Sequence, residues 1–200
     1  MRKLLFICLF CLSGLIVCAN AAPVLIDDFE IDVSGGPAGT VDFGSGNGST
    51  LVVTSGTDKT HGQKSLKVEF DAVTDGYMWI ARGFELDSAN TEWLLKPDAI
   101  DWKQYNAISF MMNGANAKGK VAFDIKDNGN ELWRFLVDDN FNGWKKITIK
   151  FDEFFARGDW QPSIADKNGV IDFPLKSFQF EPLAPSKGVL YFDEVEVTSK

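Results

Sequence analysis

The segment "FDEFFARGDWQPS", Phe151 to Ser163, places a guanidinium, a carboxylate, an indole and a carboxamide within five residues: Arg157, Asp159, Trp160 and Gln161. Three chemistries use such a group. Arg-Gly-Asp is a cell-adhesion tripeptide, but short motifs arise by chance, and nothing else in the chain supports adhesion. Glycoside cleavage needs two carboxylates set across a cleft. With 28 Asp and Glu such pairs can always be chosen, and none stands out. The third chemistry is recognition of a polyol. A flat aromatic covers the C–H face of a pyranose ring while Arg, Asp and Gln meet its hydroxyls. Gly158 would let the backbone turn tightly, so that Arg157 and Asp159 project together. The plain alternative is a surface Arg157–Asp159 ion pair with Trp160 capping the core.

Other candidates lie at the two ends of the chain. In "LIDDFE", Asp28 and Glu30 fall on one face of a strand at period two. In "YFDEVEV", Asp193 and Glu194 fall in a strand near the C-terminus. A jelly roll brings its first and last strands together, so these carboxylates could share a hard cation such as Ca²⁺, which would stabilise the fold. The alternative is a solvated acidic face. "DDNFNG" begins like a calcium loop, with Asp138, Asn140, Asn142 and Gly143, but its twelfth position is Ile149 and a β pattern follows. It reads as a hairpin turn with Asn142-Gly143 at its tip. The Gly-rich "FGSGNGST" lacks the Lys-Ser/Thr of a phosphate loop. His61 is the only histidine, so a His-based triad has a single candidate.

The elements that must position these residues are short and β-like. "SLKVEF" alternates Leu66, Val68 and Phe70. "AISFMM" alternates Ile108, Phe110 and Met112, and "KVAFDIKD" alternates Val121, Phe123 and Ile125. "KKITIKF" alternates Ile147, Ile149 and Phe151, and "SFQFEP" alternates Phe178 and Phe180. Turn signals separate them at Asp75-Gly76, Asn113-Gly114, Asn128-Gly129, Asn142-Gly143 and Lys187-Gly188. "VSGGPAG" and "FGSGNGST" read as loops. "DEFFA" makes at most one helical turn. The pattern predicts an all-β chain, an antiparallel β-sandwich of the jelly-roll type. Trp102, Trp133 and Trp144 adjoin strands and are expected in the core. Tyr77 and Trp79 in "TDGYMW", and Trp160, stand in polar contexts instead.

The first 21 residues read as a secretory signal peptide. Arg2 and Lys3 precede the apolar "LLFICLFCLSGLIVC", and Ala19-Asn20-Ala21 offers cleavage after Ala21. A retained anchor would need a longer apolar run, and acylation at Cys18 would prefer a residue smaller than Val17 before it. Residues 22–200 then form one domain, secreted or periplasmic. All three cysteines lie in the leader, so disulfides and thiol chemistry are excluded from the mature chain. Loss of Arg2 and Lys3 takes the net charge from −8 to −10. That argues against nucleic acid and anionic membranes and favours neutral or cationic partners, or bound cations.

Taken in order, "LIDDFE", "TDGYMW", "DWKQYNAISFMM", "NELWRFLVDDNFNGWKKITIKFDEFFARGDWQP", "IDFPLKSFQFEP" and "GVLYFDEVEV" resemble the family 11 carbohydrate-binding modules and the related CIA30-like galactose-binding-domain sandwiches. The resemblance covers essentially the whole mature chain. It implies a jelly roll with structural Ca²⁺ that binds linear β-glucans without catalysis, in a groove on a concave sheet face. Carried over by position, it implies that Tyr77 stacks on sugar and that Arg157, Asp159 and Trp160 line the groove, with Asp127 or Glu131 as a groove acid. A Tyr stands in the family where Trp160 stands here, so the stacking surface is enlarged. Glu30 and Asp193 are the implied Ca²⁺ ligands, with Asp28 second in rank. Such modules usually accompany a glycoside hydrolase, and the loop "ELDSANTEWLLKPDAIDW" is longer than the family pattern. Some CIA30-like relatives serve in assembly, so a protein partner is the alternative ligand.

Overall fold

The computed structural model describes residues 21–199, and the leader reading falls almost wholly outside them. Twelve strands and three short 3₁₀ turns follow one another: β1 (Val24–Asp27), β2 (Asp42–Gly46), β3 (Thr50–Gly56), β4 (Ser65–Ala72), β5 (Tyr77–Gly83), β6 (Ala107–Ala115), β7 (Lys120–Lys126), β8 (Leu132–Asp138), β9 (Asn142–Lys150), β10 (Phe155–Ala156), β11 (Ser177–Pro182) and β12 (Ser186–Thr198). They form two antiparallel sheets, as the periodicity predicts. The first has the order β3-β4-β12-β6-β9, with β1 also paired to β12. The second has the order β10-β8-β7-β11-β5-β2. First and last strands therefore meet: Leu25 lies opposite Glu196.

The alternating residues bury themselves between the sheets because period two sends them to one face. Leu66, Val68, Ile108, Phe110, Phe123, Ile125, Phe178, Phe180 and Phe192 are all fully or almost fully buried. Phe180 of the second sheet and Phe192 of the first stack at 3.9 Å between ring centroids, 15° from parallel, and Phe110 and Phe123 approach to 4.6 Å. Each such ring contributes about 1.5–3 kcal/mol by leaving water. Trp133 and Trp102 join this core. Trp144 does not. It lies on the outer face of the first sheet, where its Nε1 donates to Asp58 at 2.9 Å. Arg82 points inward and is 3% exposed. It donates from Nε to Asp27 Oδ2 at 2.7 Å, and to the carbonyls of Thr40 and Glu92. One cation thus ties β1, β5 and two loops, and pairing is what makes its burial tolerable.

Several local expectations change. Asn113-Gly114 and Asn142-Gly143 are not turn tips. They lie side by side within β6 and β9, with Gly114 opposite Gly143 and Ala115 opposite Asn142. "DDNFNG" is a crossing from the second sheet to the first, held by the buried Asp139, which accepts from Asn116 N and Ala117 N at 2.9 and 3.0 Å. Lys187-Gly188 also lies inside a strand, β12. The first half of "FGSGNGST" is strand β2, and Tyr77 and Trp79 belong to β5 rather than to a loop.

Candidate functional site

The outer face of the second sheet carries a polar row that no single segment announces. Strand register sets Asp42 opposite Ala81, Ala81 opposite Gln179, Gln179 opposite Asp124, Asp124 opposite Arg134, and Arg134 opposite Phe155. The same alternation that buries Phe123 and Ile125 turns Asp124 outward. The phase that buries Phe178 and Phe180 presents Gln179 and Glu181.

These side chains neutralise one another. Arg134 donates to both oxygens of Asp124, each at 2.8 Å, and also bonds Glu181. Arg157 reaches the same cluster: its Nη1 donates to Asp124 Oδ2 at 3.0 Å and its Nη2 lies 3.4 Å from Glu181. Its other edge holds Asp159 through two parallel bonds, Nε to Oδ1 at 2.9 Å and Nη2 to Oδ2 at 2.8 Å. Paired guanidinium–carboxylate forks fix geometry as well as charge. Burial works against the Arg134 cation, but the bonds and charge of Asp124, with Glu181 and Asp159 behind them, hold its pKa above the arginine value. Arg157 is raised in the same way, chiefly by Asp159 once burial is overcome. The bonded Arg157 side chain pulls Asp159 down to about 2. Burial raises Glu181, against the pull of Arg134.

Aromatic rings form the walls. Tyr77 and Trp79 lie nearly parallel, 15° apart, with centroids separated by 6.2 Å. They lie over the neighbouring strand β2, at positions where that strand has no side chains. A Cβ on Gly44 would come 2.4 Å from the Trp79 ring, and one on Gly46 the same distance from Tyr77. Glycine is required here for close approach. Trp79 is anchored by its Nε1, which donates to Asp42 Oδ1 at 3.0 Å. Tyr77 is 50% exposed. Trp160 is 57% exposed and stands on the far side, with the Arg157 guanidinium 5.9 Å from its ring centroid. β5 and β8 are three strand spacings apart, about 14 Å. Between the walls lies an open groove of about 760 Å³.

Of the residues singled out in the sequence, the groove brings together Tyr77, Trp79, Arg157, Asp159 and Trp160. Arg157 and Asp159 are committed to each other, which leaves no open tripeptide for adhesion. Gln161 turns inward. Its amide accepts from Leu132 N and donates to Leu132 O, both at 2.8 Å, and so pins the loop to β8. Asp127 and Glu131 lie outside the groove lining. Asp127 is fully buried and accepts from Glu131 N, Trp133 Nε1 and Asp172 N; Glu131 accepts from Gly169 N. Both hold the β7–β8 turn to segment 166–172. The groove acids that sequence reasoning missed include Asp124, Glu181 and Asp42. The available signal was a charged residue in the outward phase of an otherwise apolar strand.

Of the carboxylates considered for a cation, Glu30 and Asp193 meet on one loop, 57–64. Strand β1 ends at Asp27, so Asp28 and Glu30 follow the strand rather than sharing its face. Asp28 Oδ1 accepts from Glu30 N at 3.2 Å. Glu30 Oε1 accepts from the main-chain N–H of Gln63 and Lys64, at 2.6 and 2.8 Å. Asp193, at an irregularity in β12, is fully buried and accepts from Thr60 N, Thr60 Oγ1 and His61 N at 2.8–3.0 Å. Burial pushes its carboxyl up, and it forms no ion pair among the described residues. A buried carboxylate without a cationic partner, beside a loop rich in carbonyls, suits a hard cation in donor chemistry. Among the described residues no group of three or more His, Cys, Asp or Glu meets at metal-binding spacing. Main-chain oxygens would have to complete the shell.

Comparison with known proteins agrees with the sandwich. A family model described as a carbohydrate binding domain (family 11) matches residues 17–200. Endoglucanase H of Acetivibrio thermocellus is 26% identical over 181 residues, covering 86% of this chain and 18% of that protein. The chain therefore spans less than a fifth of that relative's length. A family 11 carbohydrate-binding module from Clostridium thermocellum, solved with a β-1,3-1,4-mixed-linked tetrasaccharide, is 23% identical over 88% of this chain and 95% of its own, with a TM-score of 0.69. The family 11 module of the cellulase Lic26A-Cel5E from the same organism is 21% identical over 91% of this chain and 97% of its own, also at 0.69. At such identities the likeness to solved structures is one of fold.

Proposed function

The chain belongs to the family 11 carbohydrate-binding domains, and on that premise we propose that it is a non-catalytic module that takes a linear, uncharged β-glucan into the groove of the second sheet. The observation that carries this reading is the opposition of two aromatic walls, Tyr77 with Trp79 and Trp160, across a floor of mutually paired charges. Flat rings shed water readily and fit the C–H faces of β-linked sugars. The floor supplies fixed acceptors and donors for hydroxyls at Asp124, Gln179, Glu181, Arg157 and Asp159. These groups are already oriented by one another, so little side-chain entropy is lost when sugar binds.

The same arrangement disfavours anionic glycans. Asp42, Glu85, Asp87, Asp124, Asp159 and Glu181 line the groove, whereas its cations are engaged: Arg157 with Asp124 and Asp159, and Lys126 with the Glu85 carbonyl at 2.6 Å. Acids outnumber cations along the lining, so a uronate would meet net negative charge. The proposed structural Ca²⁺ has Glu30, Asp193 and carbonyls of loop 57–64 as its donors, and Asp28 as an outer candidate. When bound it supplies a charge clip between the chain ends. Export by the leader suits a ligand found outside the cell.

Affinity electrophoresis tests the ligand class. Migration should be retarded in gels holding mixed-linked β-glucan and unaffected by polygalacturonate. Unretarded migration in every β-glucan gel would overturn the reading.

A further inference from the structure

We propose that Asp87 is a specificity-determining residue of the groove: its carboxylate accepts two adjacent hydroxyls of one glucosyl unit and so selects a 4-linked unit beside the Trp79 wall. This rests on the glucan reading above.

Six acids line the groove, Asp42, Glu85, Asp87, Asp124, Asp159 and Glu181. Five of them are committed. Asp42 accepts from Trp79 Nε1 and from the main-chain N–H of Asp87, Glu85 from Lys176, Asp124 from Arg134 and Arg157, Asp159 from Arg157, and Glu181 from Arg134. Asp87 is exposed, and its carboxylate makes no hydrogen bond or ion pair with the described residues. Its charge reaches the Lys126 ammonium, alongside the charges of Glu85 and Asp42, and all four residues line the groove. The carboxylate therefore lies on the groove side of its turn.

That turn is held in place. Glu85 adopts a φ of +54°, a costly conformation for a residue with a side chain. It is kept there by Lys126 Nζ, which donates to its carbonyl at 2.6 Å, and by Lys176 Nζ, which donates to its Oε2 at 2.7 Å. Asp42 Oδ2 accepts from Asp87 N at 2.9 Å while Oδ1 accepts from the Trp79 indole at 3.0 Å. One carboxylate thus sets Asp87 beside the aromatic wall. A sugar against Trp79 finds a positioned and uncommitted acceptor next to it.

The chemistry of the acceptor selects the linkage. A carboxylate offers two oxygens side by side and only accepts, so it matches a pair of adjacent O–H donors. An internal 4-linked glucosyl unit keeps its hydroxyls at C2 and C3, which are neighbours. An internal 3-linked unit keeps those at C2, C4 and C6, no two of which are adjacent. Asp87 is satisfied at both oxygens by the first and at one by the second. Hydrogen bonds to a charged group are the stronger kind, so the difference enters the affinity.

Titration calorimetry with hexasaccharides of β-1,4-linked and of β-1,3-linked glucose tests this on the full chain and on Asp87→Asn. The variant keeps the side-chain shape and the main-chain bond to Asp42, and loses the charge and one acceptor. Wild type should favour the 4-linked ligand. Asp87→Asn should bind that ligand about tenfold more weakly and bind the 3-linked ligand within about twofold of wild type. The Trp79 indole N–H resonance of the free variant should match wild type, because Asp42 still holds it. Unchanged affinity for the 4-linked ligand, an equal loss on both ligands, or a displaced Trp79 resonance overturns the role of Asp87 alone. Failure of wild type to bind either hexasaccharide overturns the glucan reading, and the role of Asp87 with it.

Discussion

Arg157 holds Asp159 through two parallel hydrogen bonds of 2.9 and 2.8 Å, while its remaining Nη1–H reaches across to Asp124. One guanidinium therefore joins an exposed loop acid to a fully buried strand acid, and Trp160 stands directly after that joint. The Arg157 guanidinium lies 5.9 Å from the centroid of that indole.

That bond has a pH signature. A carboxyl held at about 2, below its usual value, favours the folded loop fully above the ordinary carboxylate range and loses that contribution as pH falls toward 2. Asp159 is more than half exposed, so solvent screening limits the effect. The side-chain resonance of Asp159 should titrate near 2 in wild type and near the ordinary value in Arg157→Ala. A midpoint near 4 in wild type would show that the fork does not persist in solution.

Gly44 is specified by Trp79, because a Cβ there would sit 2.4 Å from the ring. Gly44→Val should displace the indole and weaken β-glucan binding about tenfold or more, with the sandwich retained by circular dichroism. Gly158→Ala is the matched control. Its added methyl meets nothing within 4 Å, and Gly158 lacks the positive φ that would strain another residue. Its affinity should stay within about twofold of wild type. The tight turn expected at Gly158 is not what orients Arg157; the bonds to Asp159 and Asp124 do that.

Arg134 neutralises Asp124 and Glu181, both nearly buried. Its removal takes the bidentate partner from Asp124 and the nearest cation from Glu181, and leaves Arg157 alone to neutralise both nearly buried acids. Arg134→Ala should lower stability by about 3–5 kcal/mol in urea unfolding. A loss below about 1 kcal/mol would mean that water already screens the cluster.

Much of this was legible beforehand, and the reason lies in period two. Leu66, Val68, Phe110, Phe123 and Phe180 announce their strands because burial on one face leaves a repeating mark. Gly44 and Gly46 hid theirs, since glycine reads as a loop and its use here depends on rings from β5. Asp124, Gln179 and Glu181 sit on strands distant in sequence, and only register brings them to Arg134 and Arg157. Local spacing holds no record of that. The Asn-Gly pairs at 113–114 and 142–143 misled for the reverse reason: a strong local turn signal was overridden by pairing between β6 and β9.

Chelation addresses the cation. In protein that elemental analysis shows to contain calcium, EDTA should lower the melting temperature and added Ca²⁺ should restore it. An unchanged melting curve would leave Glu30 and Asp193 as loop clasps acting through main-chain N–H groups alone.

The central claim is that the facing aromatics form the binding groove, and titration calorimetry with a mixed-linked β-glucan tetrasaccharide tests it most directly. Tyr77→Ala and Trp160→Ala should each weaken binding by about tenfold, roughly 1.4 kcal/mol, with melting temperatures near wild type because both side chains are at least half exposed. Wild-type affinity in both variants would contradict the account and place the sugar elsewhere.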